Sequence, residues 1–230
     1  MAIHERQEVT IWDFPTRVFH WSLVGLVGVN LFIIGPRGGA HTVLHFMAGY
    51  SVAGLLLFRL AWGFLGSPRS LFADFLRPWP VVKAYIARLR RLDLPHSVGH
   101  NPLGGWMIAT LLVALAAMIA TGLFAAGRRA QGPFAHLLPP GFAHGAGNLH
   151  VLISDLLIGL IAVHVAGVAV DWFLTGDNLV KAMLTGRKRL PLDAAANERP
   201  LAPLWRAALI GLLALGFAAG LALATNFPPA

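Results

Sequence analysis

The chain contains ten histidines and no cysteine, so imidazole is its abundant metal-ligand type, while disulfides, thiolate zinc sites, iron–sulfur clusters and thiolate-bound cofactors are excluded. Four histidines, His20, His45, His150 and His164, fall in or at the edge of long apolar runs. An ionisable side chain is costly in such a setting and marks a functional site by default. A neutral imidazole can offer one nitrogen lone pair to a metal while its other nitrogen donates a hydrogen bond. His150 and His164 are 14 residues apart. In helical geometry this places them within about 40° of one face, with a rise of about 21 Å. One helix can thus present two imidazoles at two depths.

The elements that must position these groups follow from composition. Of the 230 residues, 57% are hydrophobic and 12% charged, about half the usual charge of a soluble chain, which makes this a membrane protein. Helices of about 20 apolar residues cross a bilayer core. Five segments meet that length: Val18 to Ile34, Thr42 to Leu65, Leu103 to Ala126, Asn148 to Leu174 and Leu204 to Thr225. The breaks between them carry Gly, Pro, Asp and Asn turn chemistry, including Pro139-Pro140. The fold class is all-α integral membrane: a four-helix core plus a fifth, C-terminal helix. Residues 1–175 form the core, 176–203 a cytoplasmic linker, and 204–230 the last helix and tail.

Lysines and arginines set the orientation. Thirteen fall in the N-terminal segment and in the second and fourth loops; three (Arg37, Arg128 and Arg129) lie on the other side. The N-terminus is therefore expected inside and the C-terminus outside. All seven tryptophans, Trp12, Trp21, Trp62, Trp79, Trp106, Trp172 and Trp205, fall at or near inner helix ends, as one half of an aromatic belt would. The acidic flank of the first run (Glu5, Glu8 and Asp13) and its length argue against a cleaved signal peptide. Residues Trp79 to Leu92 mix apolar and basic side chains and read as an amphipathic helix on the inner membrane surface, with a solvated basic loop as the alternative. The net charge of +8 is distributed between apolar runs, which argues against nucleic-acid binding.

In this topology His45 and His150 share the outer depth, and His20 and His164 the inner one. Imidazoles facing each other across a gap in a helix bundle suit a planar iron porphyrin, which takes one axial ligand on each face. Two pairs imply two b-type haems. Each histidine taken singly has a plainer reading, as an interhelical hydrogen bond or an interfacial side chain. Arg59 lies 14 residues after His45, and Arg17 one turn before His20. Both are assigned to the propionates of the inner haem, with snorkelling to lipid headgroups competing for Arg17. Arg37 is the best-placed cation near the outer pair.

These residues also carry a resemblance. Trp12-Asp13-Phe14-Pro15-Thr16-Arg17-Val18-Phe19-His20-Trp21 is similar to the opening of bacterial cytochrome b561 proteins and of the b-type subunits of nickel–iron hydrogenases. The match continues in His45-Phe46-Met47-Ala48-Gly49-Tyr50, Arg59-Leu60-Ala61-Trp62-Gly63-Phe64-Leu65-Gly66, Gly99-His100-Asn101-Pro102-Leu103-Gly104-Gly105, and His150 with His164. The resemblance implies a four-helix core with two haem b groups, held by the pairs His20/His164 and His45/His150, carrying electrons between the quinone pool and a redox partner. That partner is a redox protein or a catalytic subunit. The location implied is the bacterial inner membrane, with lipid around it and the C-terminus in the periplasm. The fifth helix, absent from the plainest members, contains Gly216-xxx-Gly220, which permits close packing on the core or on a partner.

Other polar residues have plainer roles. Asp155 faces away from the His150 and His164 side; a hydrogen bond to a neighbouring helix competes with a proton path there. His41 is an alternative outer ligand, His96 a surface residue, and His100 a side chain lining a quinone or partner site. His136 and His144 read as solvated loop residues, while Asn30 and Thr121 bridge helices. Nucleotide, flavin, metalloprotease and serine-hydrolase motifs are missing from the sequence. Three alternatives to a simple carrier stay open: an anchor and electron-transfer subunit of a hydrogenase or other periplasmic dehydrogenase, a superoxide-oxidising or ferric-reducing enzyme on the same scaffold, and a cofactor-free proton or metal transporter.

Overall fold

A computed structural model of the chain describes residues 6–31, 41–92, 97–127, 131–191 and 199–225. Apolar runs become helices in a membrane because a helix satisfies its own backbone polar groups without water. The elements in order are β1 (Arg6–Thr10), α1 (Phe14–Val29), α2 (His41–Leu65), α3 (Phe72–Phe75), α4 (Trp79–Arg90), α5 (Pro102–Phe124), α6 (Pro140–Thr175), α7 (Leu179–Thr185), β2 (Arg187–Pro191) and α8 (Leu204–Leu223). Among the described residues, four helices are long and apolar enough to cross a membrane: Val43–Leu65, Pro102–Phe124, Pro140–Thr175 and Leu204–Leu223. The first expected span is seen as α1, 16 residues long; its remainder, from residue 32, lies outside the described residues.

The chain divides into two units. One comprises Met1–Val18, Ala61–Thr110 and Ile161–Ala207, and is called the ribbon unit below. The other comprises Phe19–Leu60, Leu111–Leu160 and Ala208–Ala230, and is called the helical unit.

The ribbon unit is named for β1 and β2, which pair antiparallel from Arg6 opposite Pro191 to Thr10 opposite Arg187. Along and just beyond β1 the side chains alternate: Val9 and Ile11 are buried and Thr10 is exposed. Val9 and Ile11 pack with Trp12 and Ala182 of α7, and the backbone amides of Ile11 and Trp12 donate to the Gly186 carbonyl. The stretch between 176 and 203 therefore contains a helix and a strand that engage the start of the chain. Asp13 then opens α1. Its Oδ1 accepts from the Thr16 amide at 2.8 Å, and its Oδ2 from Trp62 Nε1 at 2.9 Å and Ser70 Oγ at 3.3 Å. The side chain is 3% exposed. The cap moves the helix start to Phe14, ahead of the expected Val18.

In the same unit Trp79–Arg90 is a helix rather than a solvated loop, with Val82 and Tyr85 buried. Of the seven tryptophans, Trp12 and Trp62 are internal, at 6% and 0% exposure, because the Asp13 network and the ribbon need them. The other five are exposed, as an aromatic belt requires.

In the helical unit α8 packs on α2. A Cβ at Gly54 would lie 2.8 Å from the Ala214 carbonyl oxygen and 3.2 Å from the Ala218 Cβ, so the two backbones approach as closely as glycine allows. Tyr50, Ala53 and Leu221 form the buried centre of this contact, and Tyr50 shares a hydrogen bond with Thr225. Gly216 and Gly220, expected to mediate close packing, have open space where a Cβ would stand. The alanine face of α8 makes the contact instead.

Helix α6 begins at Pro140, earlier than the expected Asn148, and runs for 36 residues, about 54 Å. Proline suits the first helical turn, and the Ala126 amide donates to the Ala143 carbonyl at 2.8 Å. The glycines that read as breakers, Gly141, Gly145 and Gly147, are absorbed into the helix.

Replacing Asp13 with Ala removes a helix cap and leaves three donors without their acceptor. The expected loss is about 3 kcal/mol of stability, read as a lower unfolding midpoint in detergent. Asp13→Asn should recover part of it, because its amide oxygen still caps α1. An Asp13→Ala variant as stable as the parent would show that this network does not hold the unit together.

Candidate functional site

Within the helical unit, His45 of α2 and His150 of α6 face each other with ring centres 6.1 Å apart and planes at 88°. Each ring is oriented by a different helix. His45 Nδ1 donates to Asn30 Oδ1, just beyond α1, at 2.8 Å. His150 Nδ1 donates to the Met118 carbonyl of α5 at 2.9 Å, and Thr121 Oγ1 lies 3.4 Å from the same nitrogen. With Nδ1 the donor in both rings, the lone pair sits on Nε2. Asn30 and Thr121 do bridge helices, and what they reach in each case is one of the histidines. Gly122 makes room for the second ring: a Cβ there would stand 2.9 Å from His150 Cε1 and 3.1 Å from its Nδ1.

This donor set fits a metal held between two imidazoles. Rings coordinating opposite sides of one metal have centres roughly 6 Å apart, given nitrogen–metal bonds of about 2 Å and a ring radius of about 1 Å. A ligating histidine normally donates its other nitrogen to a carbonyl or amide oxygen, which fixes tautomer and orientation. Both rings do so. Among the described residues no cluster of three or more His, Cys, Asp or Glu side chains could hold a metal ion, so a cage of protein ligands alone has no support there.

The remaining expected residues are distributed over both units. His20, in the helical unit, is half-buried and packs edge-on against Trp21 at 5.1 Å. Arg59, in the same unit, is only 4% exposed, well inside an apolar helix, where a guanidinium needs an anionic or carbonyl partner. In the ribbon unit His164 is half-buried on α6. Arg17 Nη1 donates to the Leu184 carbonyl of α7 at 2.7 Å, an exposed bond. Its Nε is buried and has no hydrogen bond among the described residues. His100 is held between aromatic rings, with centroids 4.4 Å from Trp12 and 5.2 Å from Phe75.

Arg37, His96 and the His41 side chain lie outside the described residues. His136 is exposed as expected. His144 is not a loop residue; it lies in the first turns of α6, where its Nδ1 donates to the Pro140 carbonyl at 2.7 Å. Asp155 is exposed on α6, and it makes no hydrogen bond or ion pair among the described residues. The reading of it as a buried interhelical bond is overturned among the described residues, where its side chain is exposed.

Gly122, which makes room for the His150 ring, and Asp13, which caps α1, were not singled out for these roles from the sequence. Asp13 stands in the Trp-Asp motif, and its acidic character at the edge of an apolar run was the available signal. Gly122 gave none, since its role depends on which ring comes opposite it.

Apolar helices that present an oriented imidazole pair define a membrane-embedded helical protein of the cytochrome b type. The chain belongs to the prokaryotic cytochrome b561 family, whose match covers residues 11–186, and membership implies haem b as the bound group. A probable Ni/Fe-hydrogenase B-type cytochrome subunit from Rhizobium leguminosarum bv. viciae is 29% identical over 123 residues, covering 43% of this chain and 51% of the relative. The chain thus spans about half the length of that curated relative. No solved structure matches the chain.

Gly122→Ala is expected to displace the His150 ring while leaving the helices intact. Visible and electron paramagnetic resonance spectra of the haem-loaded protein should change, with circular dichroism unaltered. Unchanged spectra would show that His150 does not sense its Gly122 contact.

Proposed function

We propose that the protein is a di-haem b-type cytochrome that carries electrons across the membrane between the quinone pool and a redox partner. The observation that carries this reading is the facing pair His45 and His150, each with Nδ1 committed as a donor and Nε2 left to ligate. In this reading His45 and His150 hold the outer haem, and His20 and His164 the inner one. Bound haem supplies reversible one-electron transfer at each position. Asn30 and the Met118 carbonyl hold the outer rings in one tautomer, which keeps a lone pair toward the metal. Arg59 and Arg17 neutralise the propionates of the inner haem; the buried Arg17 Nε is a donor available for that purpose. The N-terminus lies in the cytoplasm and the C-terminus in the periplasm, as the thirteen-to-three distribution of Lys and Arg supports.

A second reading is favoured by the relative's description as a hydrogenase subunit. Here the chain anchors and drains electrons from a catalytic subunit of a hydrogenase or other periplasmic dehydrogenase. The haem chemistry is the same, and only the source of electrons differs. Co-purification from native membranes separates the two readings, because only the second has a stoichiometric catalytic subunit.

Pyridine haemochrome quantitation with a reduced-minus-oxidised spectrum should give two b haems per chain. His164→Ala should leave one, bound by His45 and His150, and stop electron transfer across proteoliposomes. Two haems persisting in that variant would refute the inner pair, and a haem-free protein purified under haem-replete conditions would refute the whole reading.

A further inference from the structure

The ribbon unit contains a cavity, and His100, expected to line a quinone or partner site, is one of its lining residues; its volume is about 470 Å³. This is within the usual range for small-molecule sites, about 300–1,000 Å³. Its polar lining is strongly one-sided. Arg69, Arg77, Arg88 and His100 contribute basic groups, Tyr85 a phenol, and Asp74 the one carboxylate. Asp74 is already committed to an outside cation, with Arg199 Nη2 2.7 Å from its Oδ1. Burial, and then the Asp171 carboxylate, push the Tyr85 phenol above its usual range, so it remains a protonated donor. Guanidinium groups converging on one space are suited to phosphate oxygens, which they bind with charge-assisted and often bidentate hydrogen bonds.

The surroundings point to the source of that phosphate. Helix α4 forms one wall through Val81, Ala84, Tyr85 and Arg88. Trp79 and Val81 are exposed on the same helix, at 56% and 45%, beside the basic groups of Lys83 and Arg90. Apolar and aromatic residues next to Lys and Arg are the composition of a helix lying in the headgroup layer. A free phosphate would use only the cationic part of the cavity, whereas a lipid would also use this apolar rim. Basic pockets at the membrane surface take up anionic headgroups in this way.

We propose that the cavity binds the phosphate of an anionic phospholipid, with Arg77 and Arg88 as its principal cationic contacts and the acyl chains leaving past Val81 and Trp79. The proposal is independent of haem number and of electron direction.

The test is native mass spectrometry of the delipidated, haem-loaded chain in detergent, titrated separately with phosphatidylglycerol, phosphatidylcholine and inorganic phosphate. Phosphatidylglycerol should be retained in preference to phosphatidylcholine. The double variant Arg77→Gln/Arg88→Gln should weaken that retention by about 30-fold, with the haem spectrum unchanged as a check on folding. Arg90→Gln, on α4 but not lining the cavity, should have little effect. Equal retention of the two lipids, or an equal loss in Arg90→Gln, would overturn the site. Inorganic phosphate binding as tightly as phosphatidylglycerol would overturn the lipid assignment.

Discussion

A ring N–H placed among apolar helices has no water to satisfy it, and it must donate to whatever a neighbouring helix provides. That constraint governs the organisation around His45 and His150. It requires an acceptor on a third and a fourth helix, supplied by Asn30 and by the Met118 carbonyl. It also requires the fourth helix to come close enough for its backbone to be reached. Gly122 satisfies this requirement, because any larger residue would occupy the space of the imidazole. The same bonds that remove an unsatisfied donor select the tautomer, so stability and ligand competence are set by one interaction.

The two units meet the demands of burial differently. The helical unit relies on small residues: Gly54 against the α8 backbone and Gly122 against a ring. Its polar bonds are few and specific. The ribbon unit relies on polar saturation, with a buried carboxylate receiving an amide, an indole and a hydroxyl and with Lys188 joined both to Asp177 at 2.7 Å and to the Ser97 carbonyl at 2.7 Å. It also carries the greater density of charge.

The sequence made the histidines, the apolar spans and the amphipathic α4 legible because each depends on residue type at local spacing. Hydrophobic length identifies α2 or α5 without reference to anything else. The features that escaped notice depend on distant partners. The five residues of β1 and the one after them give only Val9 and Ile11 as an alternating pattern, too short to show that a strand from Arg187 pairs with them. Gly141, Gly145 and Gly147 have low helix propensity, and their place in α6 is decided by Pro140 and by contact with Ala126. Trp12 and Trp62 look like belt residues until Asp13 and the ribbon are seen to enclose them. The Gly216 and Gly220 pattern was the converse case, a familiar local signal on a face that the core does not use.

The β1–β2 pairing also has a consequence in time. Strand β1 is synthesised well before its partner, which is separated from it by most of the spanning helices, from Thr10 to Arg187. At ordinary elongation rates the ribosome needs roughly 10–40 s to bridge that interval. Throughout it Val9 and Ile11 lack their final cover, and an exposed edge is available for incorrect pairing. The ribbon therefore closes late, after most of the spanning helices have been made.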